Sequence, residues 1–176
     1  MDIFKQLRGN AVVEANNLTG LRNGHMVAQA AFDNSAAKLE KLENGVILKL
    51  NANNELELFE SGAGEDVSYA GALLHYSEEH MKFLDSASLD MFNVPLDTEN
   101  KKKSYPRAIA LYEGDTFTTD KFDGKIKTDG YEDVTVVAGV LTVSGLKATG
   151  KGPIAKKATL PSGKEAIEVV WRGGNA

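Results

Sequence analysis

A mainly β protein, an antiparallel β-sandwich or barrel with one or two short helices, is what this chain predicts, and three observations carry that expectation. Short runs of β-branched and aromatic residues alternate with polar ones over four to eight positions, as half-buried strands do. Seventeen glycines, several of them in Asn-Gly, Asp-Gly or Ala-Gly pairs, punctuate those runs. No strand–helix–strand rhythm is present, which argues against Rossmann and TIM architectures.

Taken in order, residues 1 to 9 (MDIFKQLRG) form at most one or two amphipathic turns, with Ile3, Phe4 and Leu7 on one side. This segment is read as an N-terminal arm, either packed on the body or ordered by a partner. Residues 10 to 172 are read as the β-rich domain, and Gly173 to Ala176 as a loose tail. Ala11 to Ala15 reads as a short strand and Asn16 to Gly20 as a loop. Asn23-Gly24 signals a turn into a strand from His25 to Phe32, and Ser35 to Leu42 reads as a short helix closed by Asn44-Gly45.

The clearest hairpin of the first half joins Val46 to Leu50 with Glu55 to Phe59 through the polar tetrapeptide Asn51 to Asn54. Leu56 and Leu58 share one face, and Glu55 and Glu57 the other. Val67 to Tyr76 reads as a strand interrupted by Gly71, and Ser77 to Phe92 contains a helix-like start at Ser77-Glu78-Glu79-His80. Pro95 and the charged run Asp97 to Lys103 mark the best candidate boundary; two lobes divide near residues 95–105, or one sheet system crosses it.

From Arg107 the β pattern strengthens. Ile109 and Leu111 point one way, and Ala108, Ala110 and Tyr112 the other, so a half-buried strand is expected. Gly114-Asp115 breaks the run, Thr116 to Thr119 resumes it, and Asp123-Gly124 turns it again. Val134 to Val137 and Val140 to Val143 flank Ala138-Gly139, the tightest hairpin signal of the second half. Ile154 to Ala158 and Ala166 to Trp171 are the last strands, with Pro161-Ser162-Gly163 between them. Ile167, Val169 and Trp171 lie on one face, opposite Glu168, Val170 and Arg172.

Composition narrows the functional classes. At 176 residues, 42% hydrophobic and 26% charged, the chain is long enough to bury about 70% of its unfolded surface without a staple. With no cysteine, disulfides, thiolate metal ligands and a cysteine nucleophile are excluded. A net charge of −5 opposes a phosphate-neutralising surface, so nucleic acid is not an expected partner. Lys101-Lys102-Lys103 follows Asp97 and Glu99 and is read as a solvated loop. No window approaches the ~20 apolar residues that span a bilayer, so no membrane is expected. The opening residues lack a signal-peptide h-region, and synthesis in the cytoplasm is the expectation.

Reactive constellations are few. Gly145 to Gly152 (GLKATGKG) reproduces the spacing of a phosphate-cradling loop up to its last position, where Gly152 and Pro153 replace the magnesium-ligating hydroxyl and the helix start. A flexible inter-strand loop is the better reading. His75, Glu78, Glu79 and His80 contain zinc-binding residue types, but on a helix the two imidazoles diverge by about 140° and on a strand they face opposite ways. Asp129, Glu132 and Asp133, and likewise Asp120 and Asp123, could gather around a hard cation, yet neither group has the oxygen spacing of an EF-hand. Neither a catalytic residue, nor a cofactor, nor a metal is expected.

The segments GDTFTTD (Gly114 to Asp120), DGYEDVTVVAGVLTVSG (Asp129 to Gly145) and TLPSGKEAIEVVW (Thr159 to Trp171) together resemble, in order and character, the β-rich domains of tailed-phage virion proteins such as head decoration or stabilisation proteins. The resemblance covers about the last seventy residues of the chain. It implies a noncatalytic protein on the capsid exterior, made in the host cytoplasm, that binds the major capsid protein, with a homo-oligomer on the capsid as one arrangement. Within that reading, and outside the stretch that carries the resemblance, Ile3, Phe4 and Leu7 of the N-terminal arm are taken as the partner contacts. The alternatives are a phage tail-tube or fibre-associated protein, and a small ligand-binding β-barrel or enzyme.

Overall fold

The structure, a computed structural model, describes residues 11–61, 69–76, 94–148 and 150–173. Within them the chain is mainly β, as the alternation predicts. The elements are β1 (Val13–Asn17), α1 (Thr19–Arg22), β2 (Met26–Val27), β3 (Lys41–Leu42), β4 (Ile47–Leu50), β5 (Leu56–Leu58), β6 (Leu73–His75) and β7 (Val94–Pro95). These are followed by β8 (Ala108–Ala110), β9 (Thr116–Thr119), β10 (Phe122–Asp123), β11 (Glu132–Val137), β12 (Val140–Lys147), β13 (Ile154–Thr159) and β14 (Glu165–Val170).

Two sheets form the body. One has the order β1-β9-β14-β13-β11-β12-β10, the other β2-β8-β6-β4-β5, and β3 pairs with β7 apart from both. Neighbours are antiparallel except β10, which runs parallel to β12. The five-stranded sheet joins β6 to β8, which lie on either side of residues 95–105.

Alternation decides what each face meets. From the larger sheet, Phe117, Val134, Val136, Leu141, Ile167, Val169 and Trp171 point inward and meet Ile47, Leu74 and Ile109 from the smaller one, forming the main core. The inward set on β14 is the one its two-residue period predicts: Ile167 and Val169, and Trp171 just past the strand's end, are fully buried. Tyr69 closes one end, its ring edge-on to Trp171 at 5.5 Å between centroids. A second cluster of Phe32, Leu42, Val46, Leu48, Leu56, Leu73 and Ala108 covers the other face of the smaller sheet. The half-buried strand expected around Arg107 to Glu113 is therefore buried on both sides, with Ala108 and Ile109 each at 0% exposure.

Both predicted hairpins form. Leu50 faces Leu56 across the first, and Val137 faces Val140 across the second. In the second turn Ala138 and Gly139 both have positive φ, 46° and 77°, the requirement of a type I′ turn. This turn also joins the two sheets. Gly139 N–H donates to Phe59 O at 2.8 Å, and Ile47 N–H donates to Gly139 O at 2.8 Å. A Cβ on Gly139 would lie 2.9 Å from both Leu58 Cδ2 and Val46 Cγ1.

Other expectations are corrected. The segment Ser35 to Leu42 is not a helix. Asn34 is buried, its Oδ1 accepts Leu39 N–H at 2.8 Å, and its Nδ2 donates to Leu39 O and Asp97 O. One side chain thus takes the role of helical backbone bonds and leaves Lys41–Leu42 free to pair as β3. Conversely, the end of the expected loop Asn16 to Gly20 enters helix α1, because Gly20 packs where a Cβ would stand 2.3 Å from Ala110 O. The expected strand His25 to Phe32 pairs only at Met26 and Val27, and Phe32 makes a single parallel bridge to Leu56. The first strand begins at Val13 rather than Ala11, and of the strand expected over Val67 to Tyr76 the described residues, 69–76, form strand only at Leu73–His75. The helix-like reading from Ser77 to Phe92 lies outside the described residues.

The turn generates a paired test. Ala138→Asn replaces an exposed residue at positive φ by one that tolerates it, and should raise the unfolding free energy by about 0.5 kcal/mol. Gly139→Ala adds both dihedral strain and overlap with Val46 and Leu58, and should lower it by about 2 kcal/mol or more. Urea unfolding of the two variants checks both signs.

Candidate functional site

The acidic groups that suggested a cation do not converge: Glu132, Asp133 and Asp120 bind backbone N–H groups, and Asp123 and Asp129 are exposed. Glu132, at the start of β11, is buried, and its Oε1 accepts the backbone N–H groups of Lys127 and Thr128 at 2.5 and 2.6 Å. Burial alone would raise its pKa; the Lys127 and Thr128 N–H groups outweigh it and hold the carboxyl below its ordinary range. The Gly145 N–H acts in the same direction, although no aligned hydrogen bond reaches Oε2. Asp133 accepts the Gly150 N–H at 3.1 Å, while Asp129 is exposed.

Asp120 and Asp123 also separate. Asp120 Oδ1 accepts the Val12 N–H at 2.6 Å, and Lys164 Nζ lies 2.5 Å from Oδ2 as an ion pair without hydrogen-bond alignment. Asp123 is exposed on β10. Among the described residues no three His, Asp or Glu side chains come together as metal ligands would.

His75 is a core residue. Its ring Nδ1 donates to Arg107 O at 2.6 Å, across the antiparallel pair of β6 and β8. The Nε2 atom is buried and meets no hydrogen-bond partner among the described residues. Burial disfavours the imidazolium and lowers the pKa from 6.5, partly opposed by the bond to Arg107 O. Glu78, Glu79 and His80 lie outside the described residues, as do Ile3, Phe4 and Leu7 of the expected arm. The phosphate-loop look-alike is divided: Gly145 to Lys147 belong to β12, and a Cβ on Gly152 would press against the Tyr69 ring at 2.9 Å.

Among the described residues a groove of about 530 Å³ opens beside β7, lined by Val94, Leu96, Lys102, Ser104 and Tyr105 among others. Its loop is bonded to itself. Asp97 accepts the Glu99 and Lys102 N–H groups at 2.9 Å each, which lower its pKa, and Ser104 Oγ donates to Pro95 O. Lys101 pairs with Glu99 and Lys103 with Glu55, so two of the three consecutive lysines are neutralised at the surface. Tyr105, which also lines the groove, is 60% exposed.

The residues sequence reasoning missed are structural hubs. Asp115, read only as a turn former, is fully buried: Oδ1 accepts Thr19 N–H at 2.8 Å, and Oδ2 accepts Tyr112 N–H at 2.9 Å. Ser61 is buried beside β11, where Val136 N–H donates to its Oγ at 2.8 Å and its own N–H and O–H donate to Val136 O. The signal for Asp115 was Gly-Asp between two strands, which marks a turn but not its distant partners. Comparison of the chain with protein-family models, with curated proteins and with solved structures gave no match.

Two buried groups, His75 and Glu132, make the fold sensitive to acid. For His75 the unfolded chain binds the proton more readily, so stability is full above pH ~6.5 and falls as the pH drops below it. For Glu132 the folded pKa is the lower one, so its contribution is present above about pH 4.5 and is lost below. Urea midpoints of the wild type should decline as the pH falls below ~6.5, and His75→Asn, whose amide nitrogen takes the place of Nδ1 as donor to Arg107 O, should flatten that decline. An unchanged slope in the variant would remove His75 from the effect.

Proposed function

We propose that this protein is a noncatalytic virion structural protein, a head decoration or cement protein of a tailed bacteriophage, that binds the outer surface of the assembled major capsid protein. The observation that carries this reading is the resemblance of Gly114 to Trp171 to such proteins, together with the way that stretch folds. It supplies β9 to β14, six of the seven strands of the larger sheet. Loops beside that sheet are tied down by hydrogen bonds to Asp115, Asp120 and Glu132.

The mechanism is surface complementarity. A body that binds the assembled shell and not its free subunits shifts the assembly equilibrium toward the shell by mass action. A net charge of −5 suits the outside of a capsid better than contact with packaged nucleic acid. The Tyr105 rim offers an aromatic anchor of the kind that dominates protein interfaces. Ile3, Phe4 and Leu7 are the proposed contacts of the arm, whose ordering on docking would be offset by apolar burial of at most a few kcal/mol.

Mixing the purified protein with undecorated capsids should give saturable co-sedimentation and added density on the outer surface. Deleting residues 1–9 should weaken that binding at an unchanged thermal midpoint. Protein that stays in the supernatant at every capsid concentration contradicts the reading, and rings or tubes formed without capsid replace it with a tail component.

A further inference from the structure

The chain contains two Asn-Gly pairs, Asn23-Gly24 and Asn44-Gly45, and the fold gives them opposite surroundings. Asn-Gly is chemically the most exposed of asparagine contexts, because glycine carries no side chain to shield its backbone nitrogen or to resist the rotation that brings it to the asparagine side chain. Both pairs would therefore react alike in an unfolded chain. Any difference between them belongs to the structure.

Asn23 is exposed at the C-terminal end of α1, and Gly24 is exposed after it. Nothing stands within 4 Å of the position a Gly24 Cβ would occupy, and the Gly24 N–H is held only by a 3.4 Å bond to Leu21 O, at the outer limit of a hydrogen bond. Asn44 is 3% exposed and has a bonded partner, and the Gly45 N–H donates to His75 O at 3.0 Å. A Cβ on Gly45 would lie 2.7 Å from Thr119 Oγ1 and 2.9 Å from Lys121 Cβ, so this backbone is packed as well as bonded.

We propose that Asn23 is a site of spontaneous modification, deamidating through a succinimide in the folded protein, while Asn44 is protected. The Gly24 backbone nitrogen attacks Asn23 Cγ; the new N–Cγ bond forms as the Cγ–Nδ2 bond breaks, and ammonia leaves with the proton from the Gly24 N–H. Water then adds to either imide carbonyl, giving aspartate or isoaspartate. The balance is one water in and one ammonia out, with no oxidant or reductant. Each event adds one negative charge to a chain whose formal net charge is −5, and the isoaspartate product lengthens the backbone at the end of α1.

Freeing the Gly24 nitrogen for attack breaks one long hydrogen bond in an exposed turn, whose other bonds (Asn23 N–H to Thr19 O at 3.0 Å, His25 N–H to Gly20 O at 2.7 Å, Met26 N–H to Gly24 O at 2.9 Å) are local, whereas exposing Asn44 requires separating residues packed between the two sheets, so opening at Asn44 costs more. The test is peptide mapping by mass spectrometry of full-length protein aged in mildly alkaline buffer, folded and in denaturant, with Asn23→Gln as control. In the folded protein the Asn23 peptide should gain a single dalton at least about tenfold faster than the Asn44 peptide, and denaturant should close the gap. The Asn23→Gln protein should lose the early acidic species seen by isoelectric focusing. Equal rates in the folded protein, or a gap that persists in denaturant, would overturn the proposal.

Discussion

A single buried carboxylate fixes the end of this molecule at which three distant parts of the chain meet. Asp115 sits at 0% exposure in the turn between β8 and β9, and its two oxygens accept N–H groups from Thr19 and Tyr112. Its backbone completes the junction: Asp115 O accepts the Trp171 N–H at 2.8 Å, and Trp171 O accepts the Gly114 N–H at 2.9 Å. The start of α1, the β8–β9 turn and the end of β14 are thereby held in one arrangement. A buried acceptor of this kind is strongly specifying, because any displacement leaves N–H donors without partners and without water. The same junction places Trp171 in the main core and lets Gly20 lie against Ala110 O.

The same device recurs away from Asp115. Glu132 gathers the loop before β11, Asp120 binds the chain at Val12, Asn34 organises residues 34–39, and Ser61 takes the place of a neighbouring strand beside Val136. Apolar alternation builds the two sheets, and these polar side chains decide how the connections between them run. The Ala138-Gly139 turn completes the division of labour by bonding the larger sheet to Ile47 and Phe59 of the smaller one. A body built this way suits a role in which shape must be kept on a large partner, which is the physical content of the proposed capsid-binding function.

What the sequence disclosed follows from the range of the interactions involved. The hairpins at Asn51 to Asn54 and Ala138-Gly139 are encoded by residues within a dozen positions of each other, and both form where the pattern puts them. The buried face of β14 is equally local, since a two-residue period states it. Helix α1 escaped because its first N–H is satisfied by Asp115, 96 residues away, rather than by a neighbouring cap. The segment after Asn34 escaped for the opposite reason: Ala36, Ala37 and Leu39 favour a helix, and one buried amide overrides them. Glu132 and Asp120 looked like cation ligands because composition cannot distinguish a carboxylate aimed at solvent from one aimed at backbone N–H groups.

The account therefore stands on the Asp115 junction, and the unfolding free energy of Asp115→Ala measures it most directly. Removing the carboxylate strands the Thr19 and Tyr112 N–H groups, and the predicted loss in urea unfolding is about 2–5 kcal/mol, enough to leave the variant partly unfolded in a protein of ordinary stability. A loss below about 0.5 kcal/mol, the size expected of an unremarkable surface residue, would contradict it.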